Sequence, residues 1–254
     1  MFEHALTLAR GFTRPLVVST RRASGAVESS VGAYVLVNEG GWFVSAAHQF
    51  FVLQGQASGQ ADPVTNVSPW FGTYDLRLND VKTFTDLDLA IGHLDGFDPA
   101  SVPDYPVFKD PSRGMEPGAA LCKLGFPFHD LRTTFDEQSG AFRLPGDALP
   151  LPFFPIEGIY TRNVAVGDRG VTFIETSSAG LRGQSGGPFV DTRGTVWGIQ
   201  SHTTHYPLGF TPSVREGERV VTEHQFIHVG LGVHPAVVVE QLKEASVRFE
   251  VSDY

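Results

Sequence analysis

The chain has one cysteine, Cys122, so no intrachain disulfide can staple it. It has no apolar run approaching the roughly 18–20 residues that span a bilayer. Its first residues, MFEHALTLARGFTRPLVVST, lack the continuous apolar stretch of a signal peptide. A soluble, cytoplasmic protein without membrane contact is expected. Basic clusters are missing too, and 19 basic residues face 28 acidic ones. That balance argues against a nucleic-acid or anionic-membrane partner. Charge is sparse at 19%, whereas 28 glycines and 17 prolines are plentiful, which favours many short strands and turns over long helices.

What is present fits that expectation. With 41% apolar residues over 254 positions, the chain can bury a core in one or two domains. A short helix is expected over 3–10. From Leu16 onward, PLVVST, GAYVLV, GWFVSAA, LDLAIGHL, ALCKLGF, VTFIETS, GPFVDT, TVWGIQS and QFIHVGLGV read as strands. They are β-branched or aromatic and are punctuated by Gly, Pro, Asn and Asp. VNEGGW (37–42) reads as a hairpin turn. After His234, Val238, Leu242 and Ala245 fall at helical spacing with Pro235 suited to a first turn, so a closing helix over 236–248 is expected. The segment 126–160 is dense in Pro and Phe and lacks strand alternation. It is either a functional lid or binding loop, or ordered surface.

The stretch LRGQSGGPFV sets Ser185 among glycines. GQSGG satisfies G-x-S-x-G, the spelling of a strand-to-helix nucleophile elbow. Two glycines and a proline after the serine are poor material for a helix start, so the elbow is rejected. The alternative is a glycine-lined loop leading into a hairpin. A reactive serine then needs a base and a group to orient it. GWFVSAAH ends a strand on His48 beside two small alanines, and TFTDLDLAI puts Asp88 at the head of a buried strand. Asp86 competes, since on a strand it would share Asp88's face.

In the order SAAH, DLAI, LGFP, GQSGGPFV and VWGIQS, the chain resembles the chymotrypsin-like (trypsin-fold) serine peptidases over roughly 15–245, nearest to the HtrA-like and glutamyl-endopeptidase-like branches. The resemblance implies an all-β protein of two packed antiparallel barrels, about 15–115 and 116–235, in one unit closed by the C-terminal helix. It implies a serine endopeptidase with His48 as base, Asp88 as its orienter and Ser185 as nucleophile. The Gly183 and Ser185 N–H groups would form the oxyanion hole. DLAI favours Asp88 over Asp86. Ser201 matches the serine that supports the aspartate. Ala179 and Gly180 would face His202 and Thr203 across the primary pocket, and Ser201 to Thr203 would pair with substrate backbone.

Gln184 departs from the aspartate that secreted digestive members pair with a new N-terminal amine, and no IVGG-type start precedes His48. Activation by N-terminal cleavage is therefore not expected, and a regulatory protein partner could take over that restraint. No carboxylate marks the pocket base, so neither a trypsin-like preference nor any other is set. The pairs His202/His205 and His224/His228, with His234, could suggest zinc, but they fall on strands and loops without H-E-x-x-H. Neither a metal nor another cofactor is expected, and Cys122 reads as buried filler. The expected partner is a protein or peptide substrate. The rival reading is a peptide-binding protein that keeps the scaffold without turnover.

Overall fold

The computed structural model describes all residues except 52–63, 72–73, 146–149, 218 and 223–224. The β-branched runs of the first half form one antiparallel sheet. It comprises β1 (Thr13–Arg21), β2 (Val27–Leu36), β3 (Trp42–Ser45), β4 (Val64–Phe71), β5 (Tyr74–Asp75), β6 (Arg77–Phe84) and β7 (Leu89–Asp95), in the order β5-β4-β1-β2-β3-β7-β6. The expected turn at 37–42 joins β2 to β3. Asn38 Oδ1 accepts from the Gly40 N–H at 2.8 Å, and Gly41 takes φ 77°, where a side chain would be strained.

The second half contributes β8 (Val107–Phe108), β9 (Ala120–Lys123), the hairpin β10 (Thr134–Asp136) and β11 (Ala141–Arg143), β12 (Ile156–Ala165) and β13 (Val171–Thr176). It continues with β14 (Pro188–Val190), β15 (Val196–Pro207), the hairpin β16 (Ser213–Glu216) and β17 (Arg219–Thr222), β18 (Phe226–Val233) and β19 (Glu250–Val251). Six of these, β14-β9-β12-β13-β18-β15, close into a barrel because β14 pairs with both β9 and β15. β8 pairs in parallel with β15, and β19 with β8. Thus β8 lies before residue 116 in the chain yet joins the second sheet.

The expected all-β architecture holds, with one difference: only the second half is a closed barrel among the described residues. The first is a curled sheet. Its edge strand β6 carries Arg77, Asn79, Asp80 and Lys82 and shifts register between Asn79 and Lys82, features that discourage further pairing.

Two helices are present among the described residues. α1 (Glu3–Phe12) buries Ala5, Ala9 and Phe12 at helical spacing and runs straight into β1. α2 (Pro235–Glu244) starts on His234, whose Nδ1 accepts from the Ala236 N–H at 3.1 Å. It stops short of the expected 248. Ser246 turns to φ 56°, and the Val247 N–H returns to the Leu242 carbonyl at 3.0 Å, a left-handed termination. Neither helix is long and apolar enough to cross a membrane.

One apolar core runs through both halves, from Phe43, Phe50 and Ile91 to Ile199, Leu231 and Val238. A smaller one seats Phe126, Leu131 and Leu151 on Val17, Val31 and Ala33. The 126–160 segment is therefore packed on the first half, and it is not strand-free: it holds β10, β11 and the start of β12. Sequence alternation failed there because these strands are short or largely exposed.

Hydrogen bonds stitch the two halves at Ser185. Its carbonyl accepts from the Ala33 N–H at 2.7 Å and from Gln49 Nε2 at 2.9 Å. Gly186 follows at φ 82°, and a Cβ there would lie 2.1 Å from the Ala33 carbonyl oxygen and 2.3 Å from Ser45 Oγ. Below this seam, Lys123 is fully buried. Its ammonium donates to the carbonyls of Ser178 and Ala179, the latter at 2.7 Å, and to Thr176 Oγ1 at 3.4 Å. Burial pushes its pKa down to about 7.

Gly186→Ala should destabilise the protein by roughly 2–4 kcal/mol, through left-handed strain and the clash with Ala33, as a lower urea midpoint. Lys123 gives a pH signature. Unfolded, its amine binds a proton that the folded state sheds above about pH 7, so stability should rise with pH from 7 toward 9. Its contribution is at most about 1.4 kcal/mol per pH unit. Cys122, whose thiol burial pushes up to about 11, opposes that rise above pH 9. Urea titrations of Lys123→Met should lose the rising limb between pH 7 and 9; an unchanged slope would refute the assignment.

Candidate active site

His48 enters the site from the end of β3. The chain breaks into a 3-10 turn over Ala47–Phe50, and the fully buried Ala46 and Ala47 leave room for the ring beside the sheet. Asp88 does not sit on a strand with Asp86, as alternation suggested. It caps a 3-10 turn over Thr85–Leu87 in the left-handed conformation, φ 51°. Strain of this kind gathers at functional sites. The twist separates the two carboxylates: Asp86 accepts from Thr85 Oγ1 at 3.4 Å, while Asp88 turns to His48.

Asp88 grips that turn by backbone and side chain. Its carbonyl accepts from the Ala47 N–H at 3.2 Å and its Oδ1 from the His48 N–H at 3.0 Å. Both carboxylate oxygens lie 3.0 Å from His48 Nδ1. A carboxylate only accepts, so the Nδ1 carries the proton and the Nε2 lone pair stays open in the neutral ring. Ser201 Oγ–H donates to Asp88 Oδ2 at 2.5 Å. With that proton committed, His202 Nδ1–H donates to Ser201 Oγ at 2.8 Å. Burial raises the Asp88 pKa, but the hydrogen bonds and charge from His48, with those from Ser201 and the His48 N–H, outweigh it and hold the carboxyl below its ordinary value.

Ser185 sits on the loop that GQSGG suggested. Gly183 has φ 95°, and a Cβ there would lie 2.4 Å from the Phe126 carbonyl oxygen. A Cβ on Gly187 would lie 2.0 Å from that of Leu124. Gln184 is fully buried. Its Oε1 accepts from the Leu181 N–H at 2.9 Å, and its Nε2 reaches the carbonyls of Phe154 at 3.3 Å and Lys123 at 3.4 Å. Among the described residues, the N–H groups of Gly183 and Ser185 donate to no protein acceptor. Ser185 Oγ lies 3.5 Å from the Ser201 carbonyl, the outer limit of a hydrogen bond, and makes none to His48. His48, Gln49, Gly183 and Ser185 nonetheless line one cleft of about 500 Å³.

Of the expected pocket residues, Gly180 and Thr203 meet. Thr203 Oγ1 lies 3.0 Å from both the N–H and the carbonyl of Gly180, accepting from one and donating to the other. The Ala179 carbonyl rests on Lys123. His202 Nδ1 is engaged by Ser201, and its ring packs edge-on to Phe173 at 5.5 Å.

Sequence reasoning missed Gln200 and Lys123. The Gln200 carboxamide presses on Gly180, where a Cβ would lie 2.6 Å from Nε2. That Nε2 donates to the His202 and Leu231 carbonyls at 3.2 Å each, while Oε1 is buried with no partner among the described residues. The one signal was a polar side chain inside the apolar runs VWGIQ and ALCK.

The other histidines are dispersed. His205 and His228 pair across β15 and β18 through their Nδ1 atoms, His234 caps α2, and His224 lies outside the described residues. Among the described residues, no three His, Cys, Asp or Glu side chains gather as metal ligands would.

No family model matches the chain. No curated protein matches it either. Among solved structures, it is similar to the HtrA-type protease AlgW, a serine-to-alanine variant with a tripeptide, at a TM-score of 0.52 and 17% sequence identity. The alignment covers 96% of this chain and 63% of that one, so this chain spans less than two thirds of that protein's length. At this identity the likeness establishes the fold, a trypsin-like double barrel with a closed six-stranded half and a curled half.

Proposed function

We propose that the protein is a serine endopeptidase that cleaves peptide bonds through an acyl-enzyme. The observation that carries this reading is the hydrogen-bonded chain from Ser201 through Asp88 to His48, opening on the cleft that also holds Ser185. Asp88 fixes the tautomer in which Nε2 is basic and stabilises the imidazolium once Nε2 takes a proton. Ser185 Oγ attacks the carbonyl as His48 receives its proton, and His48 then passes that proton to the leaving amine. The open Gly183 and Ser185 N–H groups receive the oxyanion, each such donor typically worth ~3–4 kcal/mol. Catalytic hydrogen bonds of this kind tighten on substrate binding, which would bring Ser185 Oγ onto His48 Nε2. The rim formed by Ser201 to Thr203, with Ala179 and Gly180 opposite, takes the peptide before the scissile bond.

Gln184 supports competence of the uncut chain. Its carboxamide ties Leu181, Lys123 and Phe154 into one frame behind the oxyanion loop without an ion pair. The 126–160 segment reaches the same loop, since the Phe126 N–H donates to the Gly183 carbonyl at 2.8 Å. A regulatory protein docking on that segment would act on Gly183 through this bond.

A fluorophosphonate probe should label the wild type, and Ser185→Ala should abolish labelling; label that persists would move the nucleophile elsewhere. Gln184→Ala should leave the serine in place but slow labelling by roughly tenfold or more, because the oxyanion donors lose their frame. Peptide-library digestion read by mass spectrometry distinguishes the rival: peptides bound but uncleaved by the wild type would make this a binding protein on the same scaffold.

A further inference from the structure

The cleft that holds His48 and Ser185 extends away from the 178–180 and 201–203 segments, none of whose residues line it. Its walls are Val18 of β1, Ser30 and Val31 of β2, Phe128 and His129 of the 126–160 segment, and Arg182. On the peptidase reading above, the portion before the scissile bond lies along 201–203. The portion after it must therefore cross Ser185 into this cleft.

Arg182 and His129 are the donors of this wall, beside the hydroxyls of Ser29 and Ser30. Arg182 is exposed and makes no ion pair or hydrogen bond among the described residues. His129 Nδ1 accepts from the Leu131 N–H at 3.3 Å, so its ring proton sits on Nε2, which donates to no described protein acceptor. Burial, and then the Arg182 charge, hold the ring's pKa below its ordinary value against the pull of Asp130, consistent with a neutral donor. The carboxylates adjacent to the wall in sequence do not line it, and each pairs with an arginine at the surface: Asp130 with Arg132 at 3.3 Å and Glu28 with Arg22 at 2.7 Å. A free guanidinium here runs against a chain of net charge −9. Phe128 at the rim, φ 59° and 72% exposed, holds a strained conformation beside His129, as segments at functional sites do.

We propose that this cleft receives a carboxylate carried on the leaving side of the peptide, within two residues of the scissile bond, held by the Arg182 guanidinium and the His129 Nε2–H. A guanidinium offers two parallel donors to a carboxylate. Arg182 immediately precedes Gly183 and lies three residues from Ser185, which sets the reach at one or two extended residues. The carboxylate can belong to an acidic side chain or to the end of a short peptide.

Fluorogenic peptide pools, randomised before the bond, distinguish these sources. One set carries Glu, Gln or Lys at the first or second position after the bond. A second set ends two residues after it, as free acid or amide. The wild type should cleave Glu pools roughly fivefold faster than Lys pools, with Gln between, and the margin should shrink in about 0.5 M salt. Arg182→Gln should flatten the order and Arg182→Glu reverse it. A preference confined to free-acid ends assigns the cleft to chain termini, and one confined to Glu assigns it to side chains; both support the site. Equal rates across all pools in the wild type, or an order unchanged in Arg182→Glu, would overturn it. If nothing is cleaved, fluorescence anisotropy with Ser185→Ala, alone and combined with Arg182→Glu, reads the same order as Kd. An order that reverses keeps the cleft and removes only the peptidase reading, whereas no order removes the cleft.

Discussion

The carbonyl of Ser185 is a point where hydrogen bonds tie the two halves together above their shared core. Two donors from the first half, the Ala33 N–H and Gln49 Nε2, converge on this single oxygen of the second half. Because His48 precedes Gln49, the bond that docks the halves also holds the 3-10 turn that carries the imidazole. The approach is possible only because Gly186 has no side chain to strike Ala33 and Ser45.

Asp88 performs a comparable task within the site. It holds the backbone of the 3-10 turn, the ring of His48 and the hydroxyl of Ser201 together. It bridges the first half, which supplies Asp88 and His48, to β15 of the second. His202 extends the network by one further imidazole. The partly buried carboxylate is tolerable because its oxygens are answered by donors, which outweigh the cost of leaving water.

Much of this was legible in the sequence, and what was not has physical reasons. The β-branched runs and the VNEGGW turn gave β1, β2, β3, β7, β9, β13, β14, β15 and β18, since buried strands write their alternation in apolar residues. β4, β6 and β12 escaped because edge strands, or strands with one wet face, use polar residues that resemble loops. Asp88 was separated from Asp86 by resemblance alone. Strand periodicity would have put them on one face, and only the left-handed turn parts them. Gln200 and Lys123 were invisible as site neighbours because their roles depend on which carbonyls the fold carries past them. The bond from His202 to Ser201 was not legible, since neighbours in a strand do not announce that one hydroxyl will join an imidazole to a carboxylate.

The loop around Ser185 is framed by the Gln184 amide. An amide neither gains nor loses a proton in the physiological range and carries no net charge for salt to screen, so Gln184's own hydrogen bonds do not change with acidity, unlike those of the Lys123 ammonium beside them. The loop around Ser185 is thus braced by a neutral group rather than by an ion pair.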